Sequence, residues 1–170
     1  MRTKRVIVVS YDSKWNDEFQ KIKLYLEKML KNSIIEIEHV GSTSIEGLSA
    51  KPIIDIDVII KNYDNFQDVK YCLESLGYYH KGDLGIKDRE AFGYDEKYEF
   101  MTHHLYVCPQ DSDELKKHIA FRDYLRTHNE DREKYSEIKS QAAKRYPTDI
   151  DSYMERKSPC IIEIYKKIGL

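Results

Sequence analysis

The chain has 170 residues, of which 41% are hydrophobic and 34% are charged, and its formal net charge at pH 7 is -2. This composition predicts one globular domain with a sizeable core, and it lacks the basic surplus that favours a nucleic-acid partner. Three widely spaced cysteines without a CxxC pair argue against a disulfide framework and a structural zinc site, and they favour a cytoplasmic protein. The longest apolar runs are too short for a signal peptide or a membrane span, so we expect no membrane association.

Hydrophobic periodicity predicts alternating strands and helices over the first two thirds of the chain and helices alone after that. In chain order we expect a strand at 5–9, a helix at 13–31 capped by Asp12, a strand at 34–40, a short helix at 44–49, a strand at 52–60, a helix at 63–76 ended by Gly77, a short strand at 78–82, a loop or lid at 82–97, a strand at 98–108, and helices at 112–127, 130–145 and 149–168. No linker or repeat interrupts this pattern. It therefore predicts a single α/β domain over 1–170, with a mixed sheet of about four to six strands in a core at 1–110 and a helical part at 111–170 packed on it.

A Gly-Ser turn follows directly on the strand at 34–40. Gly41 has no side chain beyond Cα, so the backbone can turn sharply and approach a ligand closely. The hydroxyl residues Ser42 and Thr43 lie where a helix would begin, and free N–H groups and a hydroxyl at such a position suit a phosphate. Strand-to-helix turns commonly use the same residue types, so the turn alone is a weak signal.

Two aspartates on the next strand make the stronger signal. Asp55 and Asp57 are two residues apart, so both side chains point to one face of the strand, while the β-branched residues between them fill the other. Carboxylates on an interior strand are costly unless something neutralises them, and oxygen ligands suit Mg²⁺. The sequence therefore favours a metal site here, although a surface pair without a role is the alternative.

The spacing of Gly41-Ser42, about twelve further residues and then Asp55-Ile56-Asp57 resembles the signature of the nucleotidyltransferase superfamily, which includes DNA polymerase beta and kanamycin nucleotidyltransferase. The segment HVGSTSIEGLSAKPIIDIDV resembles the core motif of the GrpB-like family even more closely. Matching stretches extend the resemblance over nearly the whole chain: Tyr11 to Trp15, His103 to Val107, Phe121 to Arg126, and Tyr135, Lys139, Tyr153 and Lys157.

The resemblance implies a nucleotidyltransferase-like mixed sheet with flanking helices and a site for a nucleoside triphosphate. Asp55 and Asp57 would bind Mg²⁺. The residues expected to hold the substrate phosphates and complete the pocket are Gly41, Ser42, Thr43, Lys51, Arg89, Arg122, Lys139 and Lys157. Charged residues on helices are usually only solvated, and this remains the alternative for the last three.

One feature departs from active nucleotidyltransferases, which carry a third carboxylate on a later strand. The strand at 98–108 places Thr102, His104 and Tyr106 on the expected face, and Glu99 has the opposite parity. Either His104 serves as the general base, or Glu99 does so after a bulge, or transfer activity is lost.

The sequence thus favours Mg²⁺-dependent transfer of a nucleotidyl group to a small, unidentified acceptor, with Asp55, Asp57 and His104 as the catalytic residues. The alternative is a non-catalytic module that binds a nucleotide or phosphometabolite. The GrpB-like family also occurs fused to dephospho-CoA kinase, which suggests a link of that module to coenzyme A metabolism. Nothing in the sequence fixes the oligomeric state.

Overall fold

The computed structural model describes residues 5–170. Its strands are β1 (Glu36–Val40), β2 (Ile54–Ile60), β3 (Tyr79–Gly82), β4 (Glu90–Gly93) and β5 (His103–Pro109), and its helices are α1 (Lys14–Leu30), α2 (Phe66–Ser75), α3 (Asp113–Thr127), α4 (Asn129–Arg145) and α5 (Ile150–Ile168). The strands form one sheet in the order β1-β2-β5-β4-β3. β2 and β5 run parallel, and the other neighbouring strands are antiparallel. The predicted mixed α/β sheet with flanking helices is therefore confirmed.

One face of the sheet is covered by α1 and α2. The apolar residues of β2 that alternate with the aspartates are buried on this face, together with Leu105 and Val107 of β5. They pack against the buried apolar residues of α1, which are Trp15, Phe19, Ile22, Leu26 and Leu30. Burying this face fixes the register of β2, because a slip of one residue would turn both aspartates into the core.

The helical C-terminal part packs beside the turn that follows β1. Ile45 and Leu48 lie in one cluster with Leu125 of α3, Tyr135 of α4 and Cys160 of α5. This contact ties the three helices to the segment between the first two strands. None of the helices within residues 5–170 has the length and hydropathy that a membrane span requires.

Four details differ from the sequence prediction. Residues 5–9 form no strand: Val9 makes one isolated bridge with Ala50, and Val6 donates its N–H to Pro147. The predicted helix at 44–49 is a single 3-10 turn at Ser42–Ser44. The predicted loop at 82–97 contains β4, which pairs on both sides despite its short length. The last strand begins at 103, not at 98.

Candidate active site

The open face of the sheet brings the two aspartates beside the side chains of β5. Asp55 is the register partner of His104, and Asp57 is the partner of Tyr106. Paired residues of neighbouring strands point to the same face, so these four side chains form one polar surface. The predicted juxtaposition of the aspartates with His104 is present in the structure.

His104 holds Asp55 through one carboxylate oxygen. The Nδ1 atom of His104 lies 2.9 Å from Asp55 Oδ1. Because a carboxylate only accepts, Nδ1 carries the proton, and a neutral imidazole then has a free lone pair at Nε2. Both side chains are partly open to solvent, with 36% and 31% of their area exposed, so a substrate can reach them.

Asp57 is completely buried and is paired with a second histidine, His118 of α3. The His118 Nδ1 atom lies 2.7 Å from Asp57 Oδ2, and Glu114 lies on the other side of the ring at 3.6 Å. Burial raises the pKa of Asp57. Burial alone would lower the pKa of His118. The hydrogen bond and the negative charge of Asp57 outweigh burial, and the pKa of His118 is therefore raised. The pair therefore holds a proton to higher pH than a free histidine would.

Sequence reasoning missed His118. It lies 61 residues beyond Asp57, on a helix whose exposed and buried faces are weakly separated. The available signal was its spacing from Leu115 and Arg122, which places it on the side of α3 that faces the sheet.

Three lysines lie close enough to Asp55 to feel its negative charge. They are Lys51, Lys139 of α4 and Lys157 of α5. Lys139 is only 2% exposed. Within residues 5–170, none of the three lies within ion-pair distance of a carboxylate: the ion pairs of that part of the chain involve other residues.

Desolvation lowers the pKa of each of these lysines, and it lowers that of Lys157 to about 8. Repulsion from neighbouring ammonium groups further lowers the pKa values of Lys139 and Lys157, whereas attraction by Asp55 raises the pKa of all three lysines. Aromatic rings supply part of the missing solvation. Lys139 lies 4.7 Å from the Tyr135 ring, and Lys157 lies 5.0 Å from the Tyr153 ring. Each tyrosine precedes its lysine by one helical turn, which places the ring beside the ammonium.

The Gly41 turn lies directly against Asp55. Gly41 has φ of +70°, and a Cβ at this position would lie 2.2 Å from Asp55 Oδ2. Ser42 lies beside the buried Tyr135. The Thr43 hydroxyl is turned away into the fold, where it donates to the Ile53 carbonyl and contacts His39. The structure thus brings Gly41 and Ser42 to the aspartates, whereas the Thr43 hydroxyl is already used.

The two predicted arginines have different settings. Arg89 stacks on Tyr106 at 4.4 Å and acts on the charge of Asp57, and its buried Nε atom has no hydrogen-bond partner among residues 5–170. Arg122 instead binds Glu38, Asp123 and the His39 carbonyl, at the free edge of β1. Arg122 therefore secures α3 to the sheet. Glu99 is exposed and precedes β5.

The carboxylates fit a metal ion that arrives with a phosphorylated ligand. Asp57 Oδ1 is buried without a hydrogen-bond partner, and Asp55 Oδ2 is not used by His104. Within residues 5–170, no group of three or more His, Cys, Asp or Glu side chains is arranged to hold a metal. Mg²⁺ commonly takes one or two carboxylates and completes its shell with water and substrate phosphates, so two oxygens suffice.

Comparison with known proteins gives the family. The family model described as "GrpB protein" matches residues 5–167. The chain is 34% identical over 168 residues to the glutamate-rich protein GrpB of Alkalihalophilus pseudofirmus, covering 96% of this chain and 95% of that protein. It is 32% identical to YqkA of Bacillus subtilis over 158 residues, covering 93% of this chain but 46% of that longer protein. It is 24% identical to the dephospho-CoA kinase of Mycobacterium tuberculosis, covering 94% of this chain and 45% of that protein.

Solved structures agree with this assignment. The crystal structure of GrpB from Enterococcus faecalis has a TM-score of 0.83 and 32% identity, and the match covers 95% of this chain and 96% of that one. The Cid1 poly(U) polymerase with MgGTP bound has a TM-score of 0.56 at 14% identity, covering 80% of this chain and 44% of that one. The second likeness shows a nucleotidyltransferase-like fold. With its family model, its relatives and its fold in agreement, the chain belongs to the GrpB family.

Proposed function

We propose that the protein transfers a nucleotidyl group from a nucleoside triphosphate to a small acceptor in a Mg²⁺-dependent reaction. The nucleotidyltransferase-like fold supports this proposal, and so does the description of the Cid1 polymerase as bound to MgGTP.

The observation that carries the proposal is the surplus of buried positive charge around Asp55. Lys51, Lys139 and Lys157 face a single carboxylate and have no ion pair of their own within residues 5–170. Removing an ammonium group from water without a partner is costly. A polyphosphate chain supplies the missing negative charge, and Lys is a common phosphate ligand. Gly41 and Ser42 border the same space and would accommodate the terminal phosphates.

Asp55 and Asp57 would hold Mg²⁺ through the carboxylate oxygens that the histidines leave free. When bound, Mg²⁺ neutralises charge on the reacting phosphates and assists departure of pyrophosphate. His118 of α3 holds Asp57 in position through its hydrogen bond. Gly41 has no Cβ and therefore leaves the space that Asp55 Oδ2 occupies.

His104 would act as the general base in place of the third carboxylate. Its Nε2 lone pair takes the proton of the acceptor hydroxyl, while Asp55 orients the ring through Nδ1. The acceptor oxygen forms a bond to the α-phosphorus, the bond from that phosphorus to the β-phosphate oxygen breaks, and pyrophosphate leaves with the electron pair.

A second candidate is a module that binds a nucleotide or a coenzyme A precursor without turnover. The match to dephospho-CoA kinase, in which this chain covers 45% of the length, favours it. A protein with His104 where active nucleotidyltransferases carry a third carboxylate is equally compatible with a module that binds without turnover.

Thermal melts and a turnover assay separate these candidates. We expect nucleoside triphosphates with Mg²⁺ to raise the melting temperature, since a ligand at a hundred times its Kd stabilises the native state by about 2.7 kcal/mol. Lys139→Met should lose this gain, and the exposed Lys166→Met should keep it. Transfer of the label from an α-labelled triphosphate to one of a panel of alcohols, with release of unlabelled pyrophosphate, then identifies the enzyme. Stabilisation without turnover supports the binding module. A parent indifferent to every triphosphate refutes the transferase, and a parent indifferent also to dephospho-coenzyme A refutes the binding module.

A further inference from the structure

A cavity opens next to His104, over the open face of strands β5, β4 and β3. Its volume is about 680 Å³, which is within the usual range for small-molecule sites. Tyr79, Leu84, Ala91, His104 and Tyr106 contribute to its lining. It extends the catalytic surface in the direction of β4 and β3.

The register of the strands explains why a cavity forms at this place. Ala91 of β4 is the partner of Tyr106, and Gly93 is the partner of Tyr79, so all four point to the open face. A Cβ on Gly93 would lie 2.7 Å from the Tyr79 ring; the ring therefore lies across the glycine. The small side chain of Ala91 thus leaves a depression between the Tyr79 ring, which covers Gly93, and Tyr106.

The cavity and the lysines lie on opposite sides of the Asp55–His104 pair. The sheet order places β5, β4 and β3 on one side of β2 and β1 on the other. The cavity is above the first group, while Lys139 and Lys157 come from α4 and α5, which pack on the segment after β1. None of the three lysines contributes to the lining of the cavity.

We propose that this cavity binds the acceptor, and that the acceptor is an alcohol with an aromatic or apolar body that is neutral or cationic. This inference rests on the proposed function. In nucleotidyl transfer the attacking and leaving oxygens lie roughly in line. With the departing pyrophosphate on the lysine side, the attacking hydroxyl approaches from the side of the cavity, where His104 receives its proton. The bond changes are those of the proposed reaction.

The lining gives the chemical class of the acceptor. Tyr79 and Tyr106 offer aromatic rings on either side of the depression, and Leu84 adds an apolar wall, which suits a planar or apolar group. The exposed Asp95 and Glu96 lie at the rim with Lys81. This balance of charge favours a cationic group over a polyanion, so a nucleic-acid strand is a poor fit.

The test uses two probes that share a phenol ring and differ in charge, tyramine and 4-hydroxyphenylacetate. We expect tyramine to shift the backbone amide resonances of residues 91–93 and 103–106, and 4-hydroxyphenylacetate to bind about tenfold more weakly or worse, because of the acidic rim. Ala91→Leu fills the depression and should abolish tyramine binding while the thermal gain from MgATP and MgUTP is kept. Tyr71→Ala, which removes an aromatic ring of α2 that is 76% exposed, is the control and should change neither.

Each other result overturns the inference in a recognisable way. If neither probe shifts these amides in the parent protein, the cavity does not take this class of ligand; this readout needs no variant, so a failure of Ala91→Leu to fold does not affect it. If Ala91→Leu loses the triphosphate gain and keeps tyramine, the cavity holds the nucleobase. If tyramine binds and no triphosphate does, the proposed function fails and the acceptor role fails with it.

Discussion

Replacing Lys157 by methionine should stabilise the ligand-free protein, although it removes a residue of the proposed phosphate site. Methionine has a similar length and no charge. Burial lowers the pKa of Lys157 from 10.5 to about 8, and at 1.36 kcal/mol per unit this difference corresponds to about 3 kcal/mol. Because the side chain is only half-buried, we expect a gain of about 1–3 kcal/mol at pH 7, which is roughly 3–10 °C in melting temperature for a domain of this size.

The pH dependence checks the cause of this gain. A lysine with a depressed pKa binds its proton less tightly in the native state than in the unfolded state. Its penalty is therefore complete below about pH 8 and disappears as the pH rises towards 10.5. The parent should gain stability over this interval, and Lys157→Met should show a flatter profile. Urea unfolding at several pH values between 7 and 10.5 measures both.

The control and the ligand response complete this experiment. Lys166→Met changes an exposed lysine of the same helix and should leave stability within about 0.5 kcal/mol of the parent. Lys157→Met should also lose most of the thermal gain from MgATP. A variant less stable than the parent at pH 7 would show that the Lys157 ammonium is satisfied in the native state, and the argument from unpaired charge would then be wrong.

Four further substitutions test the neighbours of the aspartates. Gly41→Ala forces a Cβ into Asp55 at a φ of +70°, so we expect loss of nucleotide binding by calorimetry; unchanged affinity would remove the turn from the site. His104→Ala should lower turnover by about a hundredfold or more, whereas Glu99→Gln should have little effect; the reverse order would transfer the role of base. His118→Ala leaves a fully buried carboxylate unpaired and should cost about 3–5 kcal/mol in urea unfolding, and a loss below about 1 kcal/mol would contradict the buried pair.

The sequence predicted the arrangement of β2 and β5 well because local patterns determine it. Alternation along β2 places Asp55 and Asp57 together, and the same parity on β5 selects His104 over Glu99. Pairing of the two strands was the only assumption added, and it is confirmed. The roles of these residues in catalysis and binding stay predictions.

The features that were missed depend on contacts between distant segments. β4 is only four residues long and begins with charged Glu90, so its pairing with two neighbours outweighs a local composition typical of a loop. His118 contacts Asp57 across 61 residues, and on a helix with weak amphipathicity its spacing from Leu115 is too weak a signal to single it out. The predicted helix at 44–49 is absent because Ile45 has extended backbone angles, φ of -114° and ψ of 109°, which end the 3-10 turn at Ser44, and Gly47 with φ of +83° is again outside the helical region.

The charges around Asp55 favour one form of the proposed substrate. Lys51, Lys139 and Lys157 oppose only Asp55 on the open side, because Asp57 is paired with His118. This leaves a surplus of about two positive charges, and a nucleoside triphosphate that carries Mg²⁺ has about two negative charges near pH 7. A triphosphate without the metal brings about two more negative charges next to Asp55, which exceed the positive surplus of the lysines and repel the carboxylate. The metal and the triphosphate should therefore bind as one complex, which accounts for a protein that offers two free carboxylate oxygens and three lysines but, within residues 5–170, no three-ligand metal site of its own.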